Sequence, residues 1–231
     1  MRGTGKMGAN HSGTGPFLRP VHNQAVAHRI ELHPVTPQPR LLRVAADCLL
    51  GGGVIAYPTD SCYALGCALG DKEAMERIQV LRQARKGHFF TIVCRDLSEI
   101  ARFAIVENWQ YRLLKSFTPG PYAFVLRATR EVPRRLLDAR RKTIGIRVPD
   151  HAVVRALLKE YVEPLMSTTL QLPGDDLPMT DGREIEERVG GAIDLILDAG
   201  NCGLEPSTIV DLSGDAPKLL RAGKGDPRPF Q

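Results

Sequence analysis

From Leu41 onward the chain alternates two hydrophobic periods, and that alternation restricts the fold more than any other feature. Leu42, Ala45, Ala46 and Leu49 recur at helical spacing, and Gly51-Gly52-Gly53 supplies a stop. Residues 54–57 follow as a short apolar run of strand length, ended by Pro58, which has no N–H to give a central ladder. Asp71 is placed to cap a second helix that turns Met75, Ile78 and Leu81 inward, and Asp96-x-x-Glu99 opens a third with a box-like cap. Further helices are predicted near 108–116, at 151–161 with Asp150 as the cap, and at 183–189. Strands are predicted at 89–94, 122–127, 143–147, 164–167, 192–197, 208–212 and 218–220. This pattern predicts an α/β fold: one large twisted β-sheet with helices packed on it. Irregular alternation and a strand-rich end favour a mixed sheet over a doubly wound parallel one.

Length bounds the organisation. At 231 residues the chain fits one large domain that buries a core without staples. Residues 1–23 are rich in Gly, Ser, Thr, Asn and Pro without apolar period, so residues 1–27 are read as a disordered tail and 28–231 as the domain. Within the tail, Met7-Gly8-Ala9-Asn10-His11-Ser12 matches a myristoylation pattern only if translation starts at Met7, and an upstream extension or misassigned start is the favoured reading. Gly3-Thr4-Gly5-Lys6 lacks the spacing and the following hydroxyl of a phosphate loop. No apolar run reaches the roughly 20 residues of a membrane span, and no apolar leader opens the chain, so a cytoplasmic protein without a membrane partner is expected. The five cysteines form no C-x-x-C pair, so neither a disulfide framework nor a metal site is expected.

Charge matters by location. Residues 1–40 carry a net +4 of the chain's +5, leaving the rest almost neutral. Within that remainder, residues 127–147 hold eight basic side chains against Glu131 and Asp138. Such a stretch is either a solvated arginine-rich loop or a contact for an anionic partner.

Five segments carry the chemistry. Tyr57-Pro58-Thr59-Asp60-Ser61-Cys62-Tyr63-Ala64-Leu65-Gly66 clusters hydroxyls after a buried strand, where α/β sheets usually meet ligands. Thr118-Pro119-Gly120-Pro121, Ile146-Arg147-Val148-Pro149-Asp150-His151, Pro206-Ser207-Thr208-Ile209-Val210-Asp211 and Arg221-Ala222-Gly223 follow in order. Together they resemble the signature of the YrdC/YciO family: P-T-[DE]-T-x-Y-G-L, P-G-P, R-x-P-x-H, P-S-T-V-V-D and a terminal L-R-x-G. The likeness spans residues 28–231 and is nearest to the YciO branch, through Met75-Glu76-Arg77-Ile78, Arg95-Asp96-Leu97-Ser98-Glu99, residues 132–137 and Leu172-Pro173-Gly174.

The resemblance implies a threonylcarbamoyl-adenylate synthase-like nucleotidyl transfer linked to tRNA modification. Its substrates would be ATP, carried as its Mg2+ complex, with threonine and bicarbonate or a related small carboxylate. Two anions must then be held together in one basic cavity, which calls for cations and oriented donors. By resemblance, Thr59, Tyr63, Ser167 and Thr169 would contact the carboxylate substrate. Thr118, Ser207, Thr208 and Arg221 would contact the nucleotide. Arg82 and Arg147 would be catalytic, Arg147 reaching the nucleotide as well because its fork suits phosphate or carboxylate. Synthase members carry K-x-R and S-x-N where this chain has Arg82-Gln83-Ala84 and Ser167-Thr168-Thr169. Ala84 cannot supply the second charge, though Arg85 or Lys86 lies near, and Thr169 keeps only a hydroxyl. Such losses commonly slow chemistry roughly 10²-fold or more. His88 is either a cavity or a loop residue, and His151 is expected to be structural. The alternative is a double-stranded RNA or nucleotide-binding protein of the YciO type, with Arg134, Arg135, Arg140 and Arg141 tracking phosphates.

Overall fold

Capping chemistry sets where the helices begin. Helix α1 (Pro39–Leu50) carries proline at its first turn, where a missing N–H costs nothing, and ends at Gly51. Asp71 accepts from the Ala74 N–H to start α2 (Lys72–Leu81). Asp96 accepts from the Glu99 N–H to start α3 (Leu97–Phe103), while the Glu99 carboxylate accepts in turn from the Arg95 N–H. Glu107 and Gln110 form a reciprocal box at α4 (Asn108–Phe117), and Asp181 accepts from two N–H groups at α6 (Gly182–Val189). Helix α5 (Ala152–Tyr161) departs from expectation: its N-cap is His151, without a side-chain cap bond, because the Asp150 carboxylate is drawn to Arg155.

The computed structural model describes residues 27–83, 90–138 and 140–231, with the side chain of Arg135 left out. Ala84, Arg85, Lys86, His88 and nearly all of the tail therefore lie outside the described residues. Ala27, the last residue of the predicted tail, is already buried and donates to the Gly190 carbonyl.

Ten strands form one mixed sheet in the order β1-β8-β2-β3-β7-β4-β6-β5-β9-β10. They are β1 (His28–Glu31), β2 (Ile55–Tyr57), β3 (Ala64–Ala68), β4 (Thr91–Val93), β5 (Tyr122–Arg127), β6 (Thr143–Arg147), β7 (Leu165–Thr169), β8 (Leu195–Asp198), β9 (Thr208–Asp211) and β10 (Lys218–Arg221). Parallel pairs (β1 with β8, β2 with β8, β4 with β6, β5 with β9) mingle with antiparallel ones. Two strands were not predicted. β1 offers one buried apolar residue, Ile30, in a short edge strand, and β3 is a run of small residues that reads as the tail of the hydroxyl cluster.

Side-chain alternation divides the core between the two faces of the sheet. Ala56, Leu65, Ile92, Phe124, Ile146, Met166 and Ile196 face one core, shared with α2, α3, α4 and α6. Ile55, Tyr57, Ala64, Val93, Leu165, Leu195 and Leu197 face the other, where α1 and α5 pack on each other and on the sheet. Toward β5 and β6 this second face changes character: Ala123, Val125, Gly145 and Arg147 alternate with core-facing Phe124, Ile144 and Ile146 and line a cavity instead. Small residues where neighbouring strands carry large ones leave the hollow open.

Candidate functional site

The cavity measures about 270 Å³, near the lower end of the ~300–1,000 Å³ usual for ligand sites. Its floor is sheet: Ala64, Thr91, Val93, Ala123, Val125, Gly145 and Ile209 supply small or apolar surface. Its polar rim gathers Arg82, Arg147 and Arg221 with Ser167, Thr168, Thr169, Gln171 and Ser207, and among the described residues no acidic side chain lines it.

Each arginine arrives from a different element. Arg82 is the residue that ends α2; its Nη1 donates to Thr168 Oγ1 at 2.5 Å, and its Nε is buried without a partner among the described residues. Arg221 closes β10 and donates through Nε and Nη2 to the Ser207 carbonyl at 3.3 and 2.8 Å. Burial lowers the pKa of both guanidinium groups, with Arg221 adding to the effect at Arg82 and Arg147 adding to it at Arg221. Arg147 closes β6 and meets a carboxylate: Nη2 donates to Asp60 Oδ1 and, at 3.0 Å, to Ser61 Oγ. Its Nε is buried without a partner.

Among the hydroxyls, Ser167 is already engaged. It accepts from the Tyr57 hydroxyl at 2.6 Å and donates to the Leu65 carbonyl at 3.2 Å. Burial pushes the Tyr57 phenol up to about 12, so it remains a donor at neutral pH. Cys62 also lines the cavity, and burial raises its thiol against the opposing bond from Ser61 and charge of Arg147.

Arg82, Arg147, Ser167, Thr169, Ser207 and Arg221 thus meet at one cavity, as the motifs require. Four other predicted contacts do not line it and spend their hydroxyls on the scaffold. Thr59 Oγ1 donates to the Cys62 carbonyl at 2.6 Å and accepts from the Ser61 and Cys62 N–H groups, shaping the turn. Tyr63, fully buried, donates to the Gly200 carbonyl at 3.0 Å. Thr118 Oγ1 donates to the Leu114 carbonyl at 2.8 Å and borders a separate shallow groove with Arg95 and Arg155. Thr208 donates to the Gly225 carbonyl and accepts from the Gly223 N–H, pinning the last loop. Sequence reasoning gave no role to Asp60, Thr91 or Gln171, although Asp60 stands inside the hydroxyl motif.

The basic stretch disperses. Arg127 pairs with Glu107 at 2.6 Å, Arg141 with Asp211 at 2.6 Å, and Arg147 is buried. Arg134 and Arg140 are exposed; the Arg135 side chain lies outside the described residues.

Comparison with known proteins agrees with the motifs. The family model described as telomere recombination, which groups Sua5, YciO and YrdC, matches residues 47–223. YciO of Escherichia coli (strain K12) is 50% identical over 199 residues, covering 86% of this chain and 97% of that protein. Its crystal structure aligns with a TM-score of 0.86 at 48% identity, over 89% of this chain and 100% of that one. P. abyssi Sua5 complexed with L-threonine aligns with a TM-score of 0.78 at 26% identity, over 84% of this chain and 57% of the longer Sua5 chain. On its sequence, its mixed sheet and its ordered motifs, this chain belongs to the Sua5/YciO/YrdC family.

Proposed function

We propose that this chain is a threonylcarbamoyl-adenylate synthase-like enzyme that transfers a nucleotidyl group from ATP to a small carboxylate, in service of tRNA modification. The observation that carries the reading is the convergence of Arg82, Arg147 and Arg221 on one hydroxyl-rimmed cavity that no acidic side chain lines among the described residues. In the reaction, threonine nitrogen and bicarbonate condense to a carbamate with loss of water. A carbamate oxygen then attacks the α-phosphorus of ATP, and pyrophosphate leaves with the displaced electron pair. Two anions approach each other in this step, and fixed cations offset their repulsion without reorganising. With no acidic side chain on the lining among the described residues, a magnesium ion would enter on the ATP phosphates and take its ligands mainly from them. A relative, P. abyssi Sua5, is complexed with L-threonine, which supports an amino acid as the second substrate.

Double-stranded RNA binding draws less support, because Arg127, Arg141 and Arg147 are tied to Glu107, Asp211 and Asp60 and no continuous basic track remains among them. The decisive measurement incubates purified protein with magnesium, ATP, bicarbonate and labelled threonine. Labelled adenylate and pyrophosphate are the expected products, and none above a heat-killed control would reject the synthase assignment.

A further inference from the structure

The three cavity arginines differ in what stands behind them. Among the described residues, Arg82 bonds only a neutral hydroxyl and Arg221 only a neutral carbonyl. Arg147 alone meets a carboxylate, that of Asp60, and the pair is buried: the side chains are 10% and 9% exposed. Asp60 is itself fixed from two further sides. Its Oδ2 accepts from the Asp150 N–H at 2.8 Å, and Lys224 Nζ donates to its main-chain carbonyl. Asp60 does not line the cavity; it grips an arginine that does.

We infer that Asp60 sets the charge of the cavity: it neutralises Arg147 and leaves Arg82 and Arg221 as the two uncompensated cations among the described residues, matching a ligand whose enclosed part carries two negative charges. Arg147 then acts chiefly as an oriented donor, its plane fixed by Asp60 and Ser61. A dianionic enclosed part suits a carboxylate joined to a phosphodiester, or a phosphate monoester, better than a trianion, because each surplus charge in a poorly solvated site costs heavily. The inference rests on reading the cavity as an anion site and adds the residue that tunes it. Asp60 is a positioning residue, acting on the ligand only through Arg147.

Asp60→Asn keeps an acceptor of the same shape and removes one negative charge. Inorganic pyrophosphate, a trianion near neutral pH and so one charge beyond the wild-type match, is the probe, titrated by calorimetry into the full chain at several salt concentrations, with circular dichroism confirming that each variant is folded. Asp60→Asn is expected to bind pyrophosphate roughly ten-fold more tightly than wild type, with a steeper salt dependence. Arg147→Gln, which leaves Asp60 unpaired beside the cavity, is expected to bind roughly ten-fold or more weakly, and adding Asp60→Asn to it should recover most of that loss. A merely structural aspartate would give no such recovery. If wild type binds pyrophosphate but Asp60→Asn binds equally or less well, and the double variant is no better than Arg147→Gln, the inference falls while the anion site stands. If wild type binds neither pyrophosphate nor ATP, the anion site falls and takes this inference with it.

Discussion

At the scale of single residues, Arg147 has two jobs that one substitution separates. It is a cavity donor, and it is the counter-charge of a buried carboxylate. Removing one partner of a buried ion pair strands the other, which commonly costs about 3–5 kcal/mol. Arg147→Ala is therefore expected to remain folded but lose stability of that order by urea unfolding, and to lose ATP binding by calorimetry. Unchanged ATP affinity would take Arg147 out of the site. The motif letters told which residues gather, and they told it correctly for Arg82, Arg147 and Arg221. They could not tell which hydroxyls were free: Tyr63 and Thr208 find backbone partners only once separate segments meet, while Thr59 and Thr118 are taken up by carbonyls three and four positions away in their own turn and helix end. Asp60 illustrates the converse: nothing in Pro58-Thr59-Asp60 announces a partner 87 positions away.

At the scale of elements, the cavity exists because certain strands are lined with little. Gly145 sits in β6 between β4 and β5, and a Cβ there would lie 3.2 Å from Thr91 Oγ1. Valine would satisfy the strand's propensity and fill the floor. Gly145→Val should fold with a penalty of about 1–3 kcal/mol from overpacking, and should weaken ATP binding roughly ten-fold or more by calorimetry. Full affinity in that variant would show that the floor is not where the ligand rests. Apolar periodicity located eight strands because they carry large alternating residues, and it passed over β3, whose Ala-Leu-Gly-Cys-Ala has no contrast between faces. β1 escaped for the opposite reason, being short, polar and at an edge. The Asp150 cap failed because a nearby arginine, invisible to a capping rule, outcompeted the helix end.

For the whole molecule, acid should act in two steps. Burial lowers the His151 pKa below its ordinary 6.5, and its Nδ1 is buried without a partner. The unfolded chain thus binds this proton more readily, so the stability it contributes is present above pH 6.5 and is lost as pH falls below that value. Burial works to raise Asp211, but bonds from Ser213 and the Arg141 pair outweigh it and hold its carboxyl below the ordinary 3.8. Its contribution is present above that pH and fades as acid protonates it. Urea unfolding from pH 8 downward should show a first decline beginning near 6.5, and His151→Gln should flatten that decline while sparing the one below 4. An unchanged first decline in the variant would assign it to another group.

The strand order has a temporal consequence as well. The first strand of the domain forms one border of the sheet and the last forms the other, while partners throughout are drawn from distant parts of the chain. Synthesis therefore delivers Arg82 and Arg147 long before Ser207 and Arg221, so a chain halted after the seventh strand owns most of the cavity lining but lacks its third arginine, and has two open flanks. A ligand held by all three arginines can assist folding only once the tenth strand has been made, which makes completion of the cavity a late event in synthesis.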